Sequence, residues 1–480
     1  MAIEVAASQT DHVRDGLAFV TLGMVREPDG IVPAIAAELG LTLPGNVDPE
    51  QHLLDWLRDR SVFLVLDNAE HVIDGMPVVG RLLAAPGITI LVTSRERLHL
   101  QGEWVYEVDG LSVPTSDSTD SFEGYGSIEL LGERLRQVRP RTPMRHEERP
   151  VVIRICQLVE GMPLAIELAA AWAHSLTLDE IEGQVRRNLD FLSTPLRDVP
   201  DRHRSMRAVF NQTWQMLTAD EQAAYRRLSV FQDGFLLQAA GAVADISASD
   251  LAALAAKSLL AQQADGRYRI HGLLRQYGAE LMEQSEREYA HIHDRHCRYF
   301  LTYLAGCEEA LTGGDQRAAL DDIESDFGNI RMAWNWAGQQ RSADLITDAT
   351  HAFWLFHVMR GWMREGAATF GAMLEALDHG SEDEPQTTSL LLARAESLSR
   401  YGGFQSGLGR YDEAVAQLAQ GVAQLRCLDA TREVGLALNM LSAAHHLQGN
   451  SQESKRLLQE SLACYRQVDD QWGIAFSLND

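Results

Sequence analysis

Four short runs of apolar, largely β-branched residues fall within the first 110 positions of this 480-residue chain: 17–22 (LAFVTL), 62–67 (VFLVLD), 88–93 (ITILVT) and 104–108 (WVYEV). Continuous apolar runs of that length, set apart by helix-length or turn-like segments, are what strands buried on both faces require, and they predict a parallel α/β sheet of four strands. From Ser116 to Gly126 the composition shifts to Ser, Thr, Asp and Gly, and Pro140 to Pro150 is a second breaker-rich stretch, so the α/β part is expected to end near residue 125. Beyond it apolar residues recur at helical spacing. Thr177-x-x-Glu180 and Thr218-x-x-Glu221 read as capping boxes, in which each side chain satisfies an orphan N–H of a first helical turn. The expected fold class is therefore α/β, then mostly α.

Two features organise the helical part. Leu259 to Ile270 (LLAQQADGRYRI) reads as two strands joined by an Asp265-Gly266 turn, and a hairpin after several helices outlines a winged helix. Gly409-Arg410-Tyr411-Asp412-Glu413-Ala414 is echoed forty residues later by Gly449-Asn450-Ser451-Gln452-Glu453-Ser454, each followed by a similar helix. Such a period means helix pairs that stack to bury faces neither could bury alone. The segments expected are 1–125 for the α/β domain, 126–205 for a helical subdomain, 206–285 for the winged-helix-like part, 286–380 for a helical linker domain and 381–480 for the repeats.

Charge and cysteine usage narrow the function. With 68 acidic and 42 basic side chains the chain carries 26 net negative charges, which repel nucleic-acid phosphates and anionic membrane surfaces. Direct DNA binding by this chain is argued against. Five scattered cysteines without a C-x-x-C pair fit a reducing compartment, and no signal peptide or apolar stretch of about 18 residues is present, so a cytoplasmic protein with no membrane span is expected.

Val62 to Asn68 is an apolar strand ending in an acidic residue, the form of a Walker B element whose carboxylate meets Mg²⁺ on nucleotide phosphates. On the residues alone a second reading stands, with Asp67 capping a helix after a core strand. The next strand ends in Thr93-Ser94-Arg95-Glu96, which places hydroxyls and a guanidinium where phosphates lie in an open α/β sheet. Elsewhere, His291, His293, His296 and Cys297 could supply metal ligands but read better as a solvated helix. Trp334, Trp336, Phe353, Trp354, Phe356 and Trp362 read as helical core, and Asp378 to Pro385 as a solvated linker.

LVLDNAEH, ILVTSRERL, Glu160 to Ala169 (EGMPLAIELA), and Leu228-Ser229-Val230-Phe231 leading to Arg267–Gly278 (RYRIHGLLRQYG) resemble, in that order, the NB-ARC type of STAND P-loop ATPase in actinobacterial AfsR-like and large LuxR-type transcriptional regulators. The likeness runs to about residue 285, with TPR-like repeats following. It implies that Asp67 coordinates Mg²⁺, that Arg95, beside Ser94, acts as sensor near the γ-phosphate, that Gly161 and Pro163 line the adenine side, and that His271 touches the β-phosphate of ADP. A packed core histidine remains the other reading of His271. Two departures favour slow switching over turnover: Asn68 stands where the family has a second acidic residue, leaving Glu70 as the group to activate water, and Gly272 stands where the family has an aspartate.

A larger departure is the phosphate-binding loop. The pattern G-x-x-x-x-G-K-[ST] occurs nowhere, and the only lysines are Lys257 and Lys455. The sequence reads as an N-terminally truncated, incomplete P-loop sheet, starting within the helix that follows the loop. By the family order the strand before that loop would lie between the 88–93 and 104–108 strands. A slot there would expose buried backbone groups costing about 1–3 kcal/mol each, so either 104–108 pairs directly with 88–93 or the domain is partly unfolded. ATP or ADP with Mg²⁺ is expected for the family, with weak or absent binding in this chain and no hydrolysis by it alone. Two functions stand: a STAND-type signalling switch in a transcriptional regulator, with repeats sensing a protein partner or small ligand, and a catalytically dead scaffold whose repeats bind a protein partner. Self-association through the last repeat is a further expectation.

Overall fold

The computed structural model describes residues 1–9, 13–25, 27–43, 47–115, 124–140, 144–194, 204–379 and 387–479. Residues 116–123 of the first breaker-rich stretch, 141–143 of the second and 380–385 of the acidic linker lie outside the described residues. The chain forms two compact units: 1–216 with 248–262 and 270–274, and 217–247 with 263–269 and 275–480.

The first unit contains a three-stranded parallel sheet of β1 (Leu17–Thr21), β2 (Val62–Asp67) and β3 (Ile88–Val92), in that spatial order. Leu17 pairs with Phe63, Thr21 with Asp67 and Leu66 with Val92, so the strand tips stay level. β2 is apolar on both faces because both are covered. Val62, Leu64 and Leu66 pack into a core with Ile31, Ile35, Leu53, Leu57 and Leu82, while Phe63 and Val65 lie under Ala6 of the helix Ala2–Ser8. Helices Gly126–Val138, Arg149–Leu158, Pro163–Ala171 and Leu178–Arg187 follow, and the Thr177–Glu180 capping box forms as its spacing predicts.

The fourth expected strand does not form. Residues 104–108 have no strand pairing, and Trp104, Tyr106 and Val108 are 96, 84 and 63% exposed. The segment is strung between two anchors. On one side the Glu103 carboxylate accepts the N–H groups of Leu98 and Leu100 at 3.0 and 3.1 Å, and on the other the Leu111 N–H donates to Gly161 O at 2.9 Å. Neither alternative foreseen for the sheet applies: β3 is half-buried with no second strand partner among the described residues, yet all three strands keep their ladders.

The two-residue strand β4 (Ala261–Gln262) belongs to the first unit. In the second unit helix Ala219–Leu228 starts at the Thr218–Glu221 capping box, and Gly266, with φ +83°, precedes the two-residue strand β5 (Tyr268–Arg269). The rest is a succession of helices, from Glu286–Gly306 to Gln471–Asn479. The forty-residue echo is structural: Gly409 and Gly449 take φ +81° and +84° just before helices Tyr411–Cys427 and Ser451–Gln467. Trp334, Phe353, Trp354 and Phe356 are core, as their spacing suggests. The solvated reading of the histidine cluster is corrected. His293, His296 and Cys297 are buried against helix Phe327–Gln339, with His296 Nε2 at 3.4 Å from Asn329 Oδ1 and Cys297 donating to Ala333 O. Burial pushes the His296 imidazole down to about 3 and the Cys297 thiol up to about 12. No cluster of His, Cys, Asp or Glu able to hold a metal, and no single helix long and apolar enough to cross a membrane, occurs among the described residues.

Candidate functional site

Two groups of side chains gather in the first unit. The first sits at the carboxyl ends of β2 and β3, brought level by the parallel register. The Thr93 hydroxyl donates to Asp67 Oδ1 at 2.7 Å and accepts the Asn68 N–H at 3.0 Å. Asp67 therefore is no helix cap. Its carboxylate is held by the neighbouring strand, and Asn68 makes the turn with φ 68°, a left-handed conformation that Asn tolerates better than most residues. That conformation supplies a local reason for Asn68 independent of catalysis. Its side-chain nitrogen has no hydrogen-bond partner among the described residues although it is shielded from solvent.

Glu70 and Arg95 meet in the same group. Glu70 is 7% exposed, and its Oε1 lies 3.4 Å from Arg95 Nε. Arg95 also donates to Thr213 Oγ1 at 2.5 Å in helix Met206–Gln215, and its carbonyl accepts the Ser258 hydroxyl at 2.7 Å. The Ser94 hydroxyl accepts the Glu96 N–H at 3.1 Å. Glu70 and Arg95, the two side chains the resemblance assigns to water activation and to the γ-phosphate, are thus paired with each other.

The second group contains Gly161, Pro163 and His271. Gly161 ends helix Arg149–Leu158 with φ +69°, and a Cβ there would stand 2.0 Å from Leu111 O, so only glycine admits this approach. Pro163 is the exposed first residue of its helix, where a missing N–H costs nothing. His271 Nδ1 accepts the Leu273 N–H at 3.3 Å, which leaves Nε2 to carry the ring proton, 3.9 Å from Glu160 Oε2. Glu160 Oε1 accepts the Gly272 N–H at 2.7 Å, and a Cβ on Gly272 would stand 2.9 Å from that oxygen. An aspartate at 272 would set a second carboxylate against Glu160, so the glycine and the latch belong together. Thr213, Ser258 and Glu160 carry no local signal of these roles, since their partners lie more than a hundred residues away in sequence.

Asp67 with the Thr93 hydroxyl suits a hydrated Mg²⁺, which is bound through one or two carboxylates and water. A nucleotide triphosphate needs more: a cradle of backbone N–H groups and a Lys. Among the described strand tips the only guanidinium is Arg95, already shared by Glu70 and Thr213. The residues present do not fit a tightly held nucleotide, and no hydrolytic step follows from them.

No family model matches the chain. Over 98% of its length it is 30% identical to a protein of Mycobacterium tuberculosis named as an HTH-type transcriptional regulator, covering 53% of that protein. It is 24% identical, again over 98% of its length, to the regulatory protein AfsR of Streptomyces coelicolor, covering 52% of it. The chain spans about half the length of the curated relatives it matches. Among solved structures, a signal transduction ATPase with numerous domains and a tetratricopeptide repeat sensor from Pyrococcus horikoshii aligns at 12% identity over 99% of this chain and 78% of its own. Its TM-score of 0.24 is too low to support an argument.

Proposed function

We propose that this chain is the switch and sensor portion of an AfsR-like transcriptional regulator, a STAND-type signalling module whose nucleotide site, in the chain as it stands, binds ATP or ADP weakly and does not turn it over. The observation that carries the reading is the level pair of strand tips, with Asp67, Thr93 and Arg95 side by side at the carboxyl end of a parallel sheet. That is where an open α/β sheet presents groups to a ligand. The Glu160–His271–Gly272 latch, in the same unit, adds a second set of polar contacts between segments far apart in sequence, the kind of link a switch makes and breaks. The HTH name belongs to a relative about twice as long, and 26 net negative charges favour reading this chain as a regulatory part over a DNA-reading part.

The residues of this chain supply no P-loop cradle, and each charge-assisted hydrogen bond such a loop contributes amounts to about 1.5–3 kcal/mol, so the expected ATP and ADP affinity of this chain is millimolar or weaker. Calorimetry of the 480-residue chain with Mg-ATP and with ADP tests this. Micromolar binding would overturn the weak-binding half of the proposal and show a phosphate site outside the residues described. The second reading, a protein-interaction scaffold with a dead nucleotide half, is favoured by one observation, the mutual capture of Glu70 and Arg95. Titration of Arg95→Ala distinguishes the two: a switch gains or loses nucleotide affinity when the pair is broken, and a scaffold shows none in either form.

A further inference from the structure

The second unit holds a groove away from both groups of site residues. A cavity of about 690 Å³ is walled by Phe327, Trp362, Met363 and Leu408, and one of about 430 Å³ adjoins it, with Tyr401, Gln405 and Arg410 in its wall. Arg364 and Leu408 line both, so the two are lobes of one groove, each of a size that takes a small molecule.

The lobes differ in chemistry. In the first, the rings of Phe327 and Trp362 meet edge to face at 5.1 Å, and of its two arginines Arg331 is neutralised by Glu365 at 3.3 Å, while Arg364 sits where the two lobes join. In the second, Arg364 is exposed and has no ion-pair or hydrogen-bond partner among the described residues, while Arg410 reaches only the carboxamide oxygen of buried Gln405, at 3.1 Å. Other arginines of the same unit are compensated: Arg394 by Asp378, Arg426 by Glu460, Arg456 by Glu453. In a chain with 26 surplus negative charges, two arginines without a carboxylate on one wall concentrate positive potential where the rest of the molecule is negative.

We propose that this groove binds an amphipathic organic anion, its ring or aliphatic body against Phe327, Trp362 and Leu408 and its carboxylate, sulfonate or phosphate between Arg364 and Arg410. Guanidinium groups suit such heads because their fork of N–H donors matches two anionic oxygens. The proposal deepens the reading of the helical array as a sensor, and rests on that reading for the meaning of the bound ligand as a signal.

The test uses 8-anilinonaphthalene-1-sulfonate and its uncharged analogue N-phenyl-1-naphthylamine, titrated into the full chain by calorimetry and fluorescence. The expected result is one saturable site for the sulfonate, weakened about tenfold or more in Arg364→Ala/Arg410→Ala and retained in Arg364→Lys/Arg410→Lys, with the uncharged probe bound equally by all three. Equal melting temperatures show that the variants are folded, as the exposure of both arginines predicts. Absence of a saturable site, or equal sulfonate affinity in the alanine variant, overturns the proposal. Either failure leaves the sensor reading standing, because that reading falls only if deleting the repeats leaves the regulator's response to its signal unchanged.

Discussion

At the scale of single residues, the first unit is most exposed to change where the chain has no alternative conformation. Gly161 combines a positive φ of +69° with a Cβ position 2.0 Å from Leu111 O. Gly161→Ala must move the 110–111 segment and is expected to cost more than about 2 kcal/mol, read as a fall in the denaturation midpoint. Arg95→Ala removes the counter-charge of a carboxylate that is 7% exposed. Because Arg95 itself keeps contact with solvent, the cost is expected near 2 kcal/mol and not at the top of the range for buried pairs, and Arg95→Ala/Glu70→Gln should recover part of it. Full additivity of the two substitutions would show that the pair contributes nothing. Gly161 was visible in the sequence as part of EGMPLAIELA, whereas the role of Glu160 in the same stretch was not, because its partner Gly272 lies 112 positions on.

At the scale of elements, composition identified three strands to within a residue and misplaced the fourth. WVYEV has the aromatic and β-branched content of a strand, but content does not supply a neighbour, and a strand exists only through its ladder. Residues 104–108 are held at both ends, by Glu103 and by Leu111, and have no strand partner among the described residues; between the anchors Glu107 meets Arg97 through its side chain at 3.0 Å. Amide hydrogen exchange should therefore be fast at 104–108 and slow at 62–67, where Phe63 to Leu66 are paired with a strand on both sides. Comparable protection in the two segments would mean that 104–108 is paired in solution. The histidine helix shows the converse error. His293 and His296 look polar in a charged stretch, yet their helix turns that face toward Asn329 and Ala333, and the charged residues between them take the outside.

At the scale of the whole molecule, the balance of charge is negative, but the second unit buries charge of both signs. Arg400, fully buried, pairs with Glu433, and Arg432 pairs with Glu308 and Asp470, around His351. Burial pushes Glu396 well above the usual carboxylate range, with Glu433 adding to the effect, while Arg400 holds Glu433 below it against the cost of burial. Burial also drives His351 down to about 3, with Arg400 second. A depressed folded-state value means stability that is full above the ordinary histidine range near 6.5 and lost as pH falls toward 3. Glu396 acts in the opposite sense, stabilising most at low pH and least as pH rises through its raised value. The His351 part is isolated by difference: between pH 5 and 6 the stability of the native chain minus that of His351→Phe should rise by about 1.4 kcal/mol per pH unit. A flat difference would show that His351 is protonated in the folded chain. The sequence by itself determined the local terms: the buried strands, the capping boxes, the forty-residue helical echo and the excess of acid, because each is set by residues within a few positions or by a simple count. Only the tertiary structure decided that Glu70 and Arg95 hold each other, that Glu160 latches His271 and Gly272, that WVYEV finds no strand partner among the described residues and that Arg364 and Arg410 share one wall, because each of these depends on which distant segments the packed cores bring within hydrogen-bonding reach.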